Sequence, residues 1–324
     1  MANAFVTGGS GFIGGRLIER LRADGHSVRA LARSDAASAI VSERGAEPVR
    51  GDLVDVAAMR AGAAGCELAF HAAATLGDWG KLEEFERGNV QGTRNAVQAC
   101  REAGVKRFVH VGTEAALMAG EPLIDIDERA PLRPDSPAPY SATKAQAERI
   151  VLESNRDGEF ETVVVRPRFV WGRGDTTLLP EMVAMVKAGR FAWVGGGRNH
   201  TSTTHVDNVV EGLILGAERG RAANAYFVTD GEPVQFREFV TELLATQGVT
   251  APNRSIPAPV AHAVAVAGEL AWRVLPLPGR PPLSRFVYWV TAQECTIRID
   301  KARTELGYAP VITRGDGMAE LRAA

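Results

Sequence analysis

Residues 7–14 read Thr7-Gly8-Gly9-Ser10-Gly11-Phe12-Ile13-Gly14 and follow a short apolar run, Ala4–Thr7. The residues after it, Phe12–Ala23, carry apolar side chains at helical spacing. A glycine-rich turn between a first strand and a first helix has a specific physical use. Missing side chains allow the tight turn and let a pyrophosphate approach the amides at the helix N-terminus. Both Gly9-x-Gly11-x-x-Gly14 and Gly8-x-x-Gly11-x-x-Gly14 fit, and the last glycine lets the helix sit close against the sheet. The place of this motif, at the first strand–helix junction, is what marks a dinucleotide site.

Outward from this loop the first half alternates short apolar runs with helical patterns. Ser27–Ala32, Leu68–His71, Arg107–Val111 and Thr162–Arg166 read as strands, and Glu47–Arg50 as a weaker one. Leu82–Ala103 and Ala142–Ser154 read as helices. Strands without polar alternation are buried on both faces, which means a parallel sheet covered by helices. The expected fold is therefore α/β, a doubly wound parallel sheet. After Pro167 the texture changes, with loop signals at Arg173-Gly174-Asp175, Gly195-Gly196-Gly197 and the proline cluster 276–282. A helix at Asp207–Glu218 and a strand at Tyr226–Thr229 still look like sheet-domain elements. We expect a nucleotide-binding domain over 1–173 plus 200–232, interleaved with a smaller C-terminal substrate lobe over 174–199 plus 233–324.

Composition narrows the function. The 324 residues are 45% apolar and 23% charged, with a formal charge of −2. Such a balance disfavours disorder and offers no global field for nucleic acid or an anionic membrane. Cys66, Cys100 and Cys295 have neither zinc-knuckle nor redox spacing, and the histidines lack a His-x-x-x-His pair, so no metal is expected. Residues 1–6 resemble no leader, and Ser255–Gly268 is too short and too interrupted to span a bilayer. The expectation is a cytoplasmic protein with a small-molecule substrate and no integral membrane segment.

An NAD site carries an acid about 20 residues after the glycines, on the ribose hydroxyls. Here the second strand ends in Ala32-Arg33-Ser34. A guanidinium matches a 2′-phosphate, and no carboxylate is present to repel one. NADP(H) is therefore expected at this site, with NAD(H) as the alternative.

The fingerprint is followed in order by Gly51-Asp52-Leu53, His71-Ala72-Ala73-Ala74, Asn89-Val90-x-Gly92-Thr93-x-Asn95, Tyr140-x-x-x-Lys144 and Arg166-Pro167-x-x-Val170-Trp171-Gly172. This order resembles the extended short-chain dehydrogenase/reductase superfamily, which includes the NAD-dependent epimerases and dehydratases. Pro282-Leu283-Ser284-Arg285-Phe286 and Lys301-Ala302-x-x-Glu305-Leu306-Gly307-Tyr308-x-Pro310 look like its 3β-hydroxysteroid dehydrogenase and dihydroflavonol reductase-like branch. The resemblance implies a Rossmann domain whose cofactor is held by Gly8, Ser10, Gly11, Phe12, Ile13, Gly14, Arg33, Asp52, Leu53, Ala72, Ala73, Ala74, Pro167 and Val170. Asp52 would meet the adenine amine and Leu53 line the adenine pocket. Ala72–Ala74 would pass their backbone close to the pyrophosphate and ribose. Tyr140 and Lys144, four apart on one helical face, would serve both cofactor and chemistry. Tyr140 would be general acid or base, its pKa lowered by the nearby ammonium together with the positive nicotinamide of the oxidised cofactor. Thr113 would hydrogen-bond the substrate oxygen. Glu114 stands where the sugar-nucleotide dehydratases begin an acid pair, but Ala115 follows it. Asn89 and His205-Val206-Asp207 look architectural, His71 and His110 look like core or rim groups, and such proteins often form homodimers.

Residues 256–289 are rich in apolar side chains, and positions 260, 264, 267, 271 and 274/275 form one helical face, expected to pack as core or to cover an apolar ligand. Trp79 and Trp171 could flank the site. The implied activity is an NADP(H)-dependent interconversion of a carbonyl and a secondary alcohol on a small, apolar, steroid- or flavonoid-like substrate. One rival is an NAD-retaining sugar-nucleotide epimerase or dehydratase, which needs cations such as Arg173, Arg190, Arg198 or Arg280 for a diphosphate. Another is a non-catalytic NADP-sensing protein, which the intact Tyr–Lys pair disfavours.

Overall fold

The computed structural model describes residues 1–323. Its first half runs β1 (Asn3–Thr7), α1 (Phe12–Ala23), β2 (Ser27–Ala32), α2 (Asp35–Glu43), β3 (Glu47–Arg50), α3 (Val56–Ala63) and β4 (Leu68–His71). It continues through α4 (Leu82–Phe85), α5 (Gly92–Glu102), β5 (Arg107–Val111), β6 (Leu123–Ile126), α6 (Pro139–Glu153) and β7 (Glu161–Arg166). With a later strand, Asn224–Phe227, six of these strands form a seven-stranded parallel sheet. Its order is Asn224–Phe227, β7, β5, β4, β1, β2, β3. This is the doubly wound, Rossmann-type arrangement, and strand order reverses at β1, the place where such sheets open a ligand crevice.

Alternation within the strands explains why both faces are covered. Ala4 and Val6 pack with Leu17, Ile18 and Leu21 of α1 and with Leu213 of the helix Val206–Arg219. Phe5, Ala69 and Phe108 turn to the other face, against Met59, Val97 and Val151 of α3, α5 and α6. The pairing register sets Thr7 beside His71 and His71 beside His110, a polar row at the C-terminal ends of β1, β4 and β5.

Local boundaries differ from the sequence expectation in instructive ways. The expected helix over 82–103 is interrupted by a wide, π-type turn at Glu86–Gln91. The expected helix from Ala142 begins at Pro139, a residue preset for a first helical turn. The late strand lies at Asn224–Phe227, two residues before its expected position. A second, four-stranded sheet joins Val234–Gln235, His200–Thr201, Cys295–Ile297 and β6. Both β6 and His200–Thr201, drawn above with the nucleotide domain, therefore pair within the smaller layer. Residues Ala302, Leu306 and Tyr308, drawn with the lobe, pack into the main core.

The helix Ala258–Val274 corrects a further expectation. Its buried positions are Ala261, Ala265 and Glu269, whereas Val260, Val264 and Val274 on the expected face are 51%, 45% and 71% exposed. That face thus does not pack as core. Alanines turn inward because only a small side chain permits close approach to the neighbouring helix Arg285–Ala292, while Glu269 there accepts from Arg285 Nε at 2.7 Å.

Two glutamates beside the sheet are buried against arginines, Glu148 with Arg166 and Glu114 with Arg168. On α6, Glu148 is fully buried and accepts from Arg166 Nε at 2.9 and 3.1 Å. Removing one partner of such a pair strands the other charge, at a cost of about 3–5 kcal/mol. Glu148→Ala is expected to lower stability by about that amount, measured by urea unfolding; a loss within 0.5 kcal/mol or so would show that Arg166 finds water instead.

Candidate active site

A cleft of about 710 Å³ opens at the C-terminal edge of the main sheet. Gly8, Ser10, Gly11, Phe12, Ile13, Gly14, Arg33, Asp52, Leu53, Ala72, Ala73, Ala74, Thr113, Tyr140, Lys144, Pro167 and Val170 all line it. The motifs, spread over 163 residues of chain, thus face one space.

The loop geometry fits a dinucleotide. Gly8 has φ +76°, and a Cβ there would stand 2.6 Å from Ala73 N and 2.7 Å from the Ala72 carbonyl carbon. A Cβ on Gly14 would overlap the Gly8 carbonyl oxygen. The start of α1 at Gly11 has no side-chain cap, which leaves first-turn amides and the positive helix end facing the cleft. Arg33 is exposed at the rim, and Ser34 beside it caps α2 by accepting from Ala37 N at 3.1 Å. Asp52 folds back on its own loop and accepts from Leu53 N. Leu53 is held by Asn95, whose Nδ2 donates to its carbonyl at 2.8 Å.

Tyr140 and Lys144 share one face of α6. The Tyr140 ring stands edge-on to Phe286 at 5.5 Å between centroids. Burial and the Glu114 carboxylate raise the Tyr140 pKa, with a Thr113 hydrogen bond opposing them. The expected lowering joined Lys144 with the positive nicotinamide of the oxidised cofactor; the chain's own groups, on balance, act in the other direction. The ammonium is turned away into the sheet edge, donating to Val111 O at 2.8 Å and to His110 Nε2 at 3.3 Å. Burial brings Lys144 down to about 8, with Glu148 acting in the other direction.

Glu114 is not an exposed loop acid. It is 5% exposed and accepts from Arg168 Nη1 at 2.6 Å and from the Thr113 hydroxyl at 2.8 Å. Thr113 also accepts from Ala115 N at 3.2 Å, so its single proton is already directed at a carboxylate. Arg168, fully buried, was missed from sequence. The available signal was two arginines flanking Pro167 at the end of an apolar strand, a pattern that requires buried acids as partners.

Other expectations find their places nearby. Asn89 ties the π-type turn to the site wall, accepting from Thr75 N at 2.7 Å and donating to Thr143 Oγ1 at 3.1 Å. His205 caps its helix by accepting from Asp207 N at 3.2 Å. Its Nε2 lies 3.7 Å from Glu320, but Asp207 is held by Arg16 Nη2 at 2.8 Å. Three potential ligands thus converge there, one of them already engaged by a guanidinium. Trp171 is fully buried with its indole donating to Asp230, and Trp79 lies under Arg273; neither lines the cleft. The three thiols are buried, and burial pushes Cys295 up to about 12. Among the described residues no helix is long and apolar enough to cross a membrane.

Comparison with known proteins places this geometry. Residues 5–258 match the 3-beta hydroxysteroid dehydrogenase/isomerase family. A 4-hydroxy-2-methyl-3-oxo-4-farnesyl-3,4-dihydroquinoline-1-oxide ketoreductase from Stigmatella aurantiaca is 48% identical over 320 residues, covering 99% of this chain and 96% of its own. A 2-alkyl-3-oxoalkanoate reductase from Stenotrophomonas maltophilia is 37% identical over 331 residues, covering 98% of each chain. The solved structure of MoeE5 in complex with UDP-glucose and NAD shares the fold, with a TM-score of 0.75 at 24% identity over 99% of this chain and 97% of that one. This chain belongs to the 3-beta hydroxysteroid dehydrogenase/isomerase family, as an NAD(P)-dependent carbonyl–alcohol oxidoreductase of the extended short-chain type.

Proposed function

We propose that the chain is an NADP(H)-dependent reductase of a small apolar ketone, with Tyr140 as proton donor, Lys144 and Thr113 as its working partners, and the loop at 8–14 holding the cofactor. The observation that carries this reading is the meeting of Tyr140, Lys144 and the glycine loop in one cleft whose substrate side is formed by Leu76, Phe169, Leu178, Phe286 and Val290. Segments 174–199 and 233–292 supply part of that side, in keeping with a substrate lobe. Two relatives are named for substrates bearing a farnesyl or an alkyl group, which such a lining suits.

A nicotinamide cofactor held by the loop at 8–14 would supply the hydride for the carbonyl carbon. The chain's own part is to place and protonate the oxygen. A raised Tyr140 pKa keeps the phenol protonated at neutral pH, the form that can give its proton to the developing alkoxide. Lys144, the one ammonium lining the cleft, has an N–H left for the nicotinamide ribose hydroxyls. Thr113 orients the oxygen once its proton swings from Glu114 to the substrate.

A sugar-nucleotide substrate is the second reading. Arg173, Arg190, Arg198 and Arg280 were its candidate diphosphate ligands. None lines the cleft, and Arg280 is paired with Asp78 at 3.2 Å and with Glu181. Arg87 does line it, and the other two cations of the lining, Arg33 and Lys144, are those assigned above to the cofactor.

Titration of the purified protein with NADPH and NADH tests the cofactor reading. Arg33→Ala is expected to weaken NADPH by about 10- to 100-fold, the loss of a charge-assisted contact, and to leave NADH unchanged. Equal loss for both would remove Arg33 from the 2′-phosphate. Tyr140→Phe is expected to bind NADPH normally and to reduce apolar ketones at least ~100-fold more slowly. Tightly retained NAD with turnover of nucleotide sugars would overturn the proposal as a whole.

A further inference from the structure

An ammonium has three donors and no acceptor, so its direction is set by where its protons go. Lys144 is 3% exposed, and two of its protons point into the protein, to Val111 O and to His110 Nε2. One remains, and the open side of the group is the cleft. We propose that His110 is a positioning residue for Lys144: by accepting at Nε2 it aims the free N–H into the cleft and keeps the buried ammonium charged. This rests on the reading of Tyr140 and Lys144 given above.

The fold fixes His110 for this task. The register of β1, β4 and β5 stands Thr7, His71 and His110 side by side. His71 is held at both nitrogens, by Thr7 Oγ1 at 2.7 Å and Thr93 Oγ1 at 3.1 Å. Its ring stacks on His110 with centroids 5.3 Å apart and planes 26° from parallel, which prevents His110 from tilting away. An ammonium facing Nε2 requires the tautomer with the proton on Nδ1. That nitrogen is buried without a partner among the described residues. An apolar side chain would leave no such group unsatisfied, so packing alone gives no reason for an imidazole here.

The surroundings of Lys144 agree. Burial, Lys144 and His71 hold His110 well below its ordinary pKa, so the ring is neutral and able to accept. Facing the ammonium are Tyr140 one turn before it on α6 and Glu148 one turn after, the latter engaged by Arg166. From the sheet come His110 and His71, and from the loop after β5 comes Glu114, engaged by Arg168. Glu148 favours the charged ammonium but is already shared, which leaves His110 as the side-chain acceptor in contact.

The test begins with the cofactor-free protein. It has five lysines, so ¹³C-labelled lysine resonances can be assigned by single substitutions. Lys144 is expected to titrate near pH 8 in the native chain. In His110→Leu the midpoint is expected to fall by about one unit, the loss of roughly one hydrogen bond to a charge. His110→Gln, whose amide oxygen reaches the Nε2 position, is expected to restore it. The pH above which NADPH binding weakens should move with that midpoint. No shift in a folded His110→Leu, or equal shifts in the Leu and Gln variants, would overturn the proposal. Should the Leu variant not fold, ¹⁵N spectra of the native protein decide: the Nδ1–H tautomer is required, and Nε2–H at His110 would refute it. Retained turnover in Tyr140→Phe would instead sink the catalytic reading and leave the His110 titration unaffected, so the two failures are separable.

Discussion

The hydrogen bond from Lys144 Nζ to the Val111 carbonyl, 2.8 Å long, is the contact on which the rest of the site depends. It places a helical side chain against the end of β5. Ser141, Ala142, Thr143 and Ala145, all small, are buried on the same helix. Thr143 bonds back to Pro139 O at 2.7 Å and receives Asn89 Nδ2, so the interrupted helix before α5 is tied to the same point. Tyr140 then follows from helical geometry alone, one turn back and facing the cleft.

Buried charge sets the electrostatics around this point. Glu148–Arg166 and Glu114–Arg168 are two pairs excluded from water, with the arginines on either side of Pro167. Neither pair is a simple source of stability, since each charge had first to be desolvated. Their effect is placement. Glu114 draws the Thr113 hydroxyl inward and stands close enough to hold the Tyr140 phenol protonated. Arg166 engages the carboxylate that supports the Lys144 charge. Proton positions in the cleft are thus set by Glu114 at its wall and by the charges paired behind it.

The smaller layer meets this machinery through Leu178 and through the helix Arg285–Ala292. Arg285–Ala292 supplies Phe286 and Val290 to the cleft and is fastened to Ala258–Val274 by Glu269 and Arg285 and by the His262–Tyr288 ring pair at 5.1 Å. The chain visits this layer through β6, leaves it, and returns at His200–Thr201, Val234–Gln235 and Cys295–Ile297, so the two layers interleave rather than follow in series.

Residues close in sequence determined their own geometry, and these were legible. The loop at 7–14, the turn that needs Gly8, the Tyr140–Lys144 spacing and the two-sided burial of the strands all rest on local dihedrals and periodicity. The glycine loop, Asp52, Ala72–Ala74, Thr113 and Pro167 follow the C-terminal ends of parallel strands, and such ends converge, so their common cleft was legible too. What depended on distance in the chain could not. Arg168 finds Glu114 across 54 residues, and Lys144 finds His110 across 34, through strand order and register. The same holds for the helix at Ala258–Val274, whose alternative apolar faces are equally regular in sequence. Which face turns inward, and which way a buried proton points, are set by the partner that packs there, and only the tertiary structure supplies it.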